Sequence, residues 1–336
     1  MDAPKGRQGG EGDRTNATPS PHLGIKVSAR IQGWDTARFS IIITSHNQAK
    51  FIGSAVDSAL AQSYASKEVV VVDDASSDES PRILEQYGEA IELIKLEKNA
   101  GASRARNVGI AKAKGDFLVF LDGDDLLLPW ALDVYGEVVD QKRPHIILSR
   151  MLWFEGQIPK LSSERAPAQI EVVAYESLLE KDRPYRASAS ALVISRDVFS
   201  KVQGWTSEIF PMEDLDVLVK LLHSGRTAQI LDPVTVCYRV HAANTVHQVA
   251  NCAGALRLIM EKEKRGGYPD GRLNRRQRYA FLGGPALFWV KRAYKSGLYN
   301  EALRLLALGW PMIFAAGVRR VAVAIKGRRA VQTIAL

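Results

Sequence analysis

Cysteine is nearly absent: the 336 residues include only Cys237 and Cys252. Two cysteines cannot build a disulfide framework or a zinc knuckle, and they fit a reducing compartment. Long apolar runs are missing too. No stretch reaches the ~18 uninterrupted apolar residues of a membrane-spanning helix. Residues 1–38 lack an apolar run behind a basic start, so no signal peptide is expected there. There is no P-loop, no Gly-x-Ser-x-Gly elbow and no Rossmann glycine fingerprint. Acids are scarce at one end. Residues 251–336 hold 17 Lys/Arg against four acids (Glu261, Glu263, Asp270, Glu301), a net of +13. The whole chain carries +8, so residues 1–250 carry −5. A mildly acidic body with a basic tail argues against a nucleic-acid enzyme with a basic active face, and no nucleic-acid partner is expected. The remaining composition, 46% hydrophobic and 24% charged, is that of a globular protein with a real core.

Residues 1–37 are rich in Gly, Pro, Ser, Asp and Arg and are expected to be disordered. Order starts at Phe39. The run Phe39–Ile43 is apolar on both faces, as a buried parallel strand is, and it ends in Thr44-Ser45-His46-Asn47. Helical spacing follows over 50–62. A second strand, Glu68–Val72, ends in Asp73-Asp74. Then come a helix near 81–87, a strand near 91–96, a helix over 103–114 and a strand over 117–121 ending in Asp122-Gly123-Asp124-Asp125. Alternation of this kind predicts βαβ units and a mostly parallel sheet, an α/β fold. Ligands in such sheets bind beyond the carboxyl ends of the strands, so the three polar clusters should converge on one cleft. The second half predicts short strands at 146–148, 187–194 and 234–240, helical segments at 197–202 and 214–222, and an irregular stretch over 150–170.

The strand-end acids have specific chemistry to offer. Asp122 and Asp124 suit a hard divalent cation, which prefers oxygen ligands and can neutralise a diphosphate; the competing reading is a simple Asp-Gly turn. Asp73 and Asp74 can accept hydrogen bonds from a base or a ribose, or they cap and turn the chain before the next helix. Arg106, near a helix start, suits phosphate oxygens; Arg104 has less claim to that role. Glu213-Asp214 opens an amphipathic helix. A carboxylate there can take a proton from an attacking hydroxyl, or it complements the helix dipole. His241 follows a strand, and the other histidines show no metal-ligand spacing.

Together these segments resemble the family 2 glycosyltransferases, inverting enzymes of the GT-A fold. The segments are Ser40–Asn47, Val70–Asp78, Asn99–Gly109, Phe120–Asp125 with Pro129, Val202–Trp205, Glu213–Asp216 and Tyr238–His241 with Asn244-Thr245. They cover about residues 39–247. The resemblance implies a Rossmann-like, mostly parallel central sheet flanked by helices, with a C-terminal helical extension. It implies a nucleotide-sugar-binding half over 38–145, an acceptor-binding half over 146–250 and a basic amphipathic helical tail over 251–336. Thr44, Asn47, Asp73 and Asp74 would contact the nucleotide, Arg106 would approach the diphosphate, and Asp122 would hold ribose or metal-bound water. Asp124, with Asp122 and His241, would ligate Mg²⁺ or Mn²⁺. Asp214 would be the general base, with Glu213 its neighbour. The implied donor is a nucleotide-sugar, UDP being the commonest such nucleotide, and the acceptor a glycan or lipid-linked hydroxyl in cell-surface polysaccharide or glycolipid synthesis. The alternative is a non-catalytic nucleotide-sugar-binding module of the same fold.

The basic tail mixes cations with apolar groups over 285–325. Its apolar run from Leu305 to Val318 is too short to span a bilayer, and Pro311 should interrupt a helix there. Trp and aliphatic groups flanked by Arg and Lys suit a helix lying in an anionic membrane interface. A cytoplasmic enzyme, peripheral on the inner membrane face, is the expectation. The competing reading is a helical cap with its apolar groups packed inward.

Overall fold

The computed structural model describes residues 37–159, 167–185 and 188–336. The disorder expected over 1–37 falls, up to Thr36, outside the described residues. The first half alternates as expected: β1 (Phe39–Ser45), α1 (Ile52–Leu60), β2 (Lys67–Asp73), α2 (Ser80–Glu85), β3 (Glu92–Lys95), α3 (Ala102–Lys112) and β4 (Phe117–Asp122). Then come β5 (Leu126–Leu127), α4 (Ala131–Lys142), β6 (Ile146–Glu155), β7 (Gln169–Tyr175), β8 (Leu192–Ser195), α5 (Arg196–Phe199), α6 (Glu213–Lys220) and β9 (Thr227–Val240). The chain closes with α7 (Val249–Arg265), α8 (Arg275–Lys295), α9 (Tyr299–Lys326) and β10 (Gln332–Ala335).

One mixed sheet runs β10-β7-β9-β6-β8-β4-β1-β2-β3, with β5 paired to β9. β1 is parallel to both β2 and β4, and β2 to β3, so the first half forms a parallel block. β8 joins that block antiparallel to β4 and carries the sheet into the second half. Period-two alternation separates two cores. Ile41, Ile43, Val119 and Leu121 face α1 and α4, whereas Ile42, Leu118 and Phe120 face the side of α6 and α7.

The second half departs from the sequence reading. β6 continues to Glu155, into the stretch over 150–170 expected to be irregular, and β7 at Gln169–Tyr175 follows with no strand expected there. β6 bends at register shifts around Leu148 and Arg150, and this hides its length from a simple alternation count. The strand expected over 187–194 begins instead with a 3₁₀ turn at Ala189–Ala191. Pro311 does not interrupt the tail helix: α9 is continuous for 28 residues around it. The missing N–H removes one helical bond, and packing on α8 holds the helix through it.

The tail is a three-helix layer rather than a loose appendage. Cys252, Leu256, Ile259 and Met260 of α7 join Leu282, Ala286 and Trp289 of α8 and Leu305 and Met312 of α9 in the second core. Buried Arg278 donates to Glu263 at 2.8 Å, linking α8 to α7. α8 and α9 cross at Gly283, where an added Cβ would lie 2.0 Å from the Met312 carbonyl oxygen. Gly284 beside it has open space. Gly283→Val is therefore expected to lower stability by roughly 1–3 kcal/mol through overpacking. Gly284→Ala should be neutral or stabilising by up to about 1 kcal/mol. Denaturant unfolding of the two variants checks the contrast.

Candidate active site

The strand ends do converge. Thr44 at the end of β1 with Asn47 after it, Asp74 after β2, and Asp122 at the end of β4 with Asp124 after it line one cleft. Glu213 and Asp214 of α6 and His241 after β9 close it from the second half. Its volume is about 2200 Å³. A single ligand pocket occupies ~300–1,000 Å³, so two substrates fit side by side.

Arg106 sits at the centre, 4% exposed. It donates to Asp122 Oδ1 at 2.6 Å and to Glu213 Oε1 at 3.0 Å, and its guanidinium carbon lies 4.7 Å from the Trp205 ring centre. Burial alone would lower its pKa; Asp122 and Glu213 outweigh that and raise it, so the guanidinium stays charged. Arg106 was expected to approach a diphosphate; it lines the cleft, and its hydrogen bonds here go to these two carboxylates, tying α6 to β4. Trp205 is fixed in turn, because Asn107 accepts from its backbone N–H and donates to its carbonyl, both at 2.9 Å. Gly204 makes this fit possible: its φ is +69°, and a Cβ would lie 2.5 Å from Asn107 Oδ1.

The acids at the end of β2 divide. Asp73, for which a nucleotide contact was expected, accepts from Ser76 N and Oγ and so shapes the turn after β2. Asp74 lines the cleft, but its carboxylate oxygens accept from Ala100 N and Gly101 N, each at 2.7 Å. It therefore positions the loop before α3. Asn47, at φ +53°, accepts from Ser77 N and shapes the same rim. Thr44 is 7% exposed at the cleft floor, where its carbonyl accepts from Gly123 N.

The metal-motif loop is braced from below. Asp125 is buried; it accepts from Ser190 Oγ at 2.6 Å and from Arg239 N at 2.9 Å. Arg239 donates to the Asp124 carbonyl at 2.9 Å, and its guanidinium lies between the rings of Phe51 and Phe154. Neither residue carried an assigned role in the sequence reading. The hint was available in Asp122-Gly123-Asp124-Asp125 and Tyr238-Arg239-Val240-His241, whose inner members alternate inward. His241 Nε2 lies 2.9 Å from Asp124 Oδ2, and its ring stacks on Phe51. Burial and the Asp122 charge raise the Asp124 pKa. Among the described residues no group of three or more His, Cys, Asp or Glu side chains is arranged to hold an ion alone.

Asp214 has the most perturbed carboxyl facing the cleft. Burial, then the neighbouring Glu213, push its pKa up to about 8, while Arg106 pulls the other way. Its Oδ1 is buried without a hydrogen-bond partner. Two residues on, Asp216 is fully buried and holds α6 in place. It accepts from Tyr268 Oη at 2.6 Å and from Thr206 Oγ1 at 2.7 Å, and it pairs with Lys220 at 2.9 Å.

The family model described as glycosyl transferase family 2 matches residues 40–189. The putative teichuronic acid biosynthesis glycosyltransferase TuaG of Bacillus subtilis is 30% identical over 60% of this chain and 78% of its own length. The chain belongs to the family 2 glycosyltransferases. Its fold is similar to that of Staphylococcus aureus TarS residues 1–349 solved with UDP-GlcNAc, at a TM-score of 0.60 and 20% identity over 85% of this chain and 83% of that one. It is also similar to the mannosyltransferase PcManGT of Pyrobaculum calidifontis solved with GDP-Man and Mn²⁺, at a TM-score of 0.50 and 17% identity over 85% and 88% of the two chains. These matches establish a GT-A sheet, and in this glycosyltransferase Arg106 joins its two halves. Arg106→Met leaves Glu213 and Asp122 unpaired and is expected to cost roughly 3–5 kcal/mol. Exposed Arg104→Met should stay within about 0.5 kcal/mol of the parent. Chemical denaturation of both variants distinguishes them.

Proposed function

We propose that the protein transfers a sugar from a nucleoside diphosphate donor, UDP-linked, to an acceptor hydroxyl with inversion at the anomeric carbon, and that Asp214 is the base. The observation that carries this is the Asp214 carboxyl itself. It faces the cleft, one oxygen is buried without a partner, and its pKa is raised to about 8. A base poised near the working pH gives the best compromise between being ionised and being able to accept a proton.

The step balances without a covalent enzyme intermediate. The acceptor oxygen forms its bond to the anomeric carbon as the bond to the diphosphate oxygen breaks. The hydroxyl proton passes to Asp214, and the bonding pair leaves with the diphosphate. Glu213, held by Arg106, keeps a second negative charge beside Asp214 and raises its affinity for that proton. Thr44, Asn47 and the Asp74-braced loop receive the nucleotide at the strand ends.

Asp124, with Asp122 and with His241 2.9 Å from it, would hold Mg²⁺ or Mn²⁺ only together with diphosphate oxygens and water, since these side chains alone do not form an ion site. The raised Asp124 pKa marks negative charge that such an ion relieves. When bound, the ion supplies charge neutralisation to the departing diphosphate. The Mn²⁺ and nucleotide-sugar complexes of PcManGT and TarS support this choice of ligands. TuaG and the succinoglycan biosynthesis protein ExoO of Rhizobium meliloti are named for polysaccharide synthesis, which supports a glycan acceptor.

Asp214→Asn is expected to lower kcat by about 10²–10⁴ with little change in donor KM. Steady-state assays against a nucleotide-sugar panel check it, and near-normal turnover would reduce Asp214 to a helix-start acid. Asp124→Ala should abolish metal-dependent donor binding and spare the fold. Calorimetric titration with UDP and Mn²⁺ reads this directly, and unchanged metal dependence would refute the assignment. The pH profile has a defined sign. Only ionised Asp214 accepts a proton, so kcat/KM should rise about tenfold per pH unit below about 8 and level off above it.

A further inference from the structure

The inner and outer faces of α9 differ sharply in their surroundings. Ala302, Leu305, Gly309, Met312 and Ala316 are buried on its inner face. Leu303, Leu306, Trp310, Phe314, Val321 and Ile325 form an outer stripe, with Trp310 61%, Phe314 68% and Ile325 79% exposed. At 1.5 Å per residue the stripe is about 33 Å long. No charged residue lies between Leu305 and Val318. Cations bracket the stripe: Lys295 and Arg304 near one end, Arg320, Lys326 and Arg328 near the other.

By length and composition alone α9 could cross a membrane, yet only 17% of its most apolar window is buried in the protein. Its two ends exclude crossing. The inner face is packed on α8, and β10 returns from the far end to pair with β7, Gln332 opposite Val172 through Ala335 opposite Gln169. Arg319 donates to the carbonyls of Leu179 and Lys181, and Arg329 pairs with Glu180. A spanning helix would carry β10 to the opposite side of the bilayer from its own sheet.

We propose that the outer face of α9 is a membrane-contact surface that lies in the plane of an anionic leaflet without crossing it. An apolar stripe with Trp and terminal cations is suited to burial about 5–10 Å into the headgroup and acyl boundary. A second copy of the chain is disfavoured as the occupant. Both ends of the stripe are cationic, so either direction of helix pairing sets like charges against each other. Further along α9, Arg319 and Val323 line the cleft. The cleft therefore lies about one helix diameter, ~10–12 Å, from the lipid. A lipid-borne acceptor would reach it without leaving the membrane; that consequence rests on the proposed transfer, whereas the contact itself does not.

The test uses the full chain with vesicles of phosphatidylcholine, with and without about one-third phosphatidylglycerol. The parent protein should co-sediment with anionic vesicles at least tenfold more strongly than with neutral ones, and brominated acyl chains should quench its Trp emission. Trp310→Glu combined with Phe314→Glu, and separately Val321→Glu, should lower that partitioning at least tenfold with an unchanged thermal midpoint. Loss of vesicle binding with normal transfer to a soluble acceptor would separate this surface from the catalytic reading. Equal binding by parent and variants would overturn the proposal, and so would no binding by the parent. A parent dimer that the variants dissociate, without vesicle partitioning, would assign the stripe to a second copy and overturn it as well.

Discussion

A single buried cation holds the active centre together. Arg106 bridges Asp122 at the end of β4 and Glu213 at the start of α6, with Trp205 against its guanidinium. The bridge joins the parallel block to the second half across the cleft floor. Without it, three carboxylates (Asp122, Glu213 and Asp214) would crowd a recess largely shielded from water. Such crowding is tolerable only with an opposing charge, because desolvated like charges cannot all stay ionised. Arg106 compensates Asp122 and Glu213 directly. Asp214 receives only the remainder, and burial, then the neighbouring Glu213, move its pKa up to about 8. The structural bridge and the poised base are thus consequences of one placement.

The same logic governs the scaffold around the centre. Asp74, Asp125 and Asp216 act as acceptors for neighbouring N–H and O–H groups. Asp74 and Asp125 satisfy backbone donors of loops that would otherwise be unpaired in the interior, and Asp216 anchors α6 through Thr206, Lys220 and Tyr268. The cleft-facing acids are therefore fewer than the acids near it. Of the acids that line it, Asp122, Asp124 and Asp214 are the ones the proposed transfer uses.

Much of this was legible in the sequence. The β-branched runs at 39–43 and 68–72 and the apolar run at 117–121 are buried on both faces, so local pattern and tertiary position agree, and β1, β2 and β4 lie where expected. Convergence of their polar ends followed from parallel topology alone. What sequence could not show was the direction of individual side chains. Asp73 and Asp74 are adjacent, yet only Asp74 reaches the cleft. Arg106 suited phosphate by its chemistry, but its partners lie 16 and 107 residues away. α4 was not anticipated, nor was β7, and the continuity of α9 through Pro311 depends on packing against α8. The tail was read as either a membrane helix or a cap. One face of α9 is buried on the enzyme, as the cap reading expects, and the opposite face is exposed and is the one proposed to meet a membrane.

The account stands on a base, Asp214, with no second carboxylate assigned to attack the sugar from the opposite side. Product stereochemistry tests this most directly. With an α-linked, gluco-configured nucleotide-sugar as donor, the anomeric proton of the product can be read by NMR before mutarotation matters. A β-glycoside, with the large diaxial coupling of an equatorial linkage, is the predicted result. An α-glycoside formed by the same protein would mean retention, by double displacement or by same-face substitution, and would contradict the assignment of Asp214 as the base of an in-line displacement.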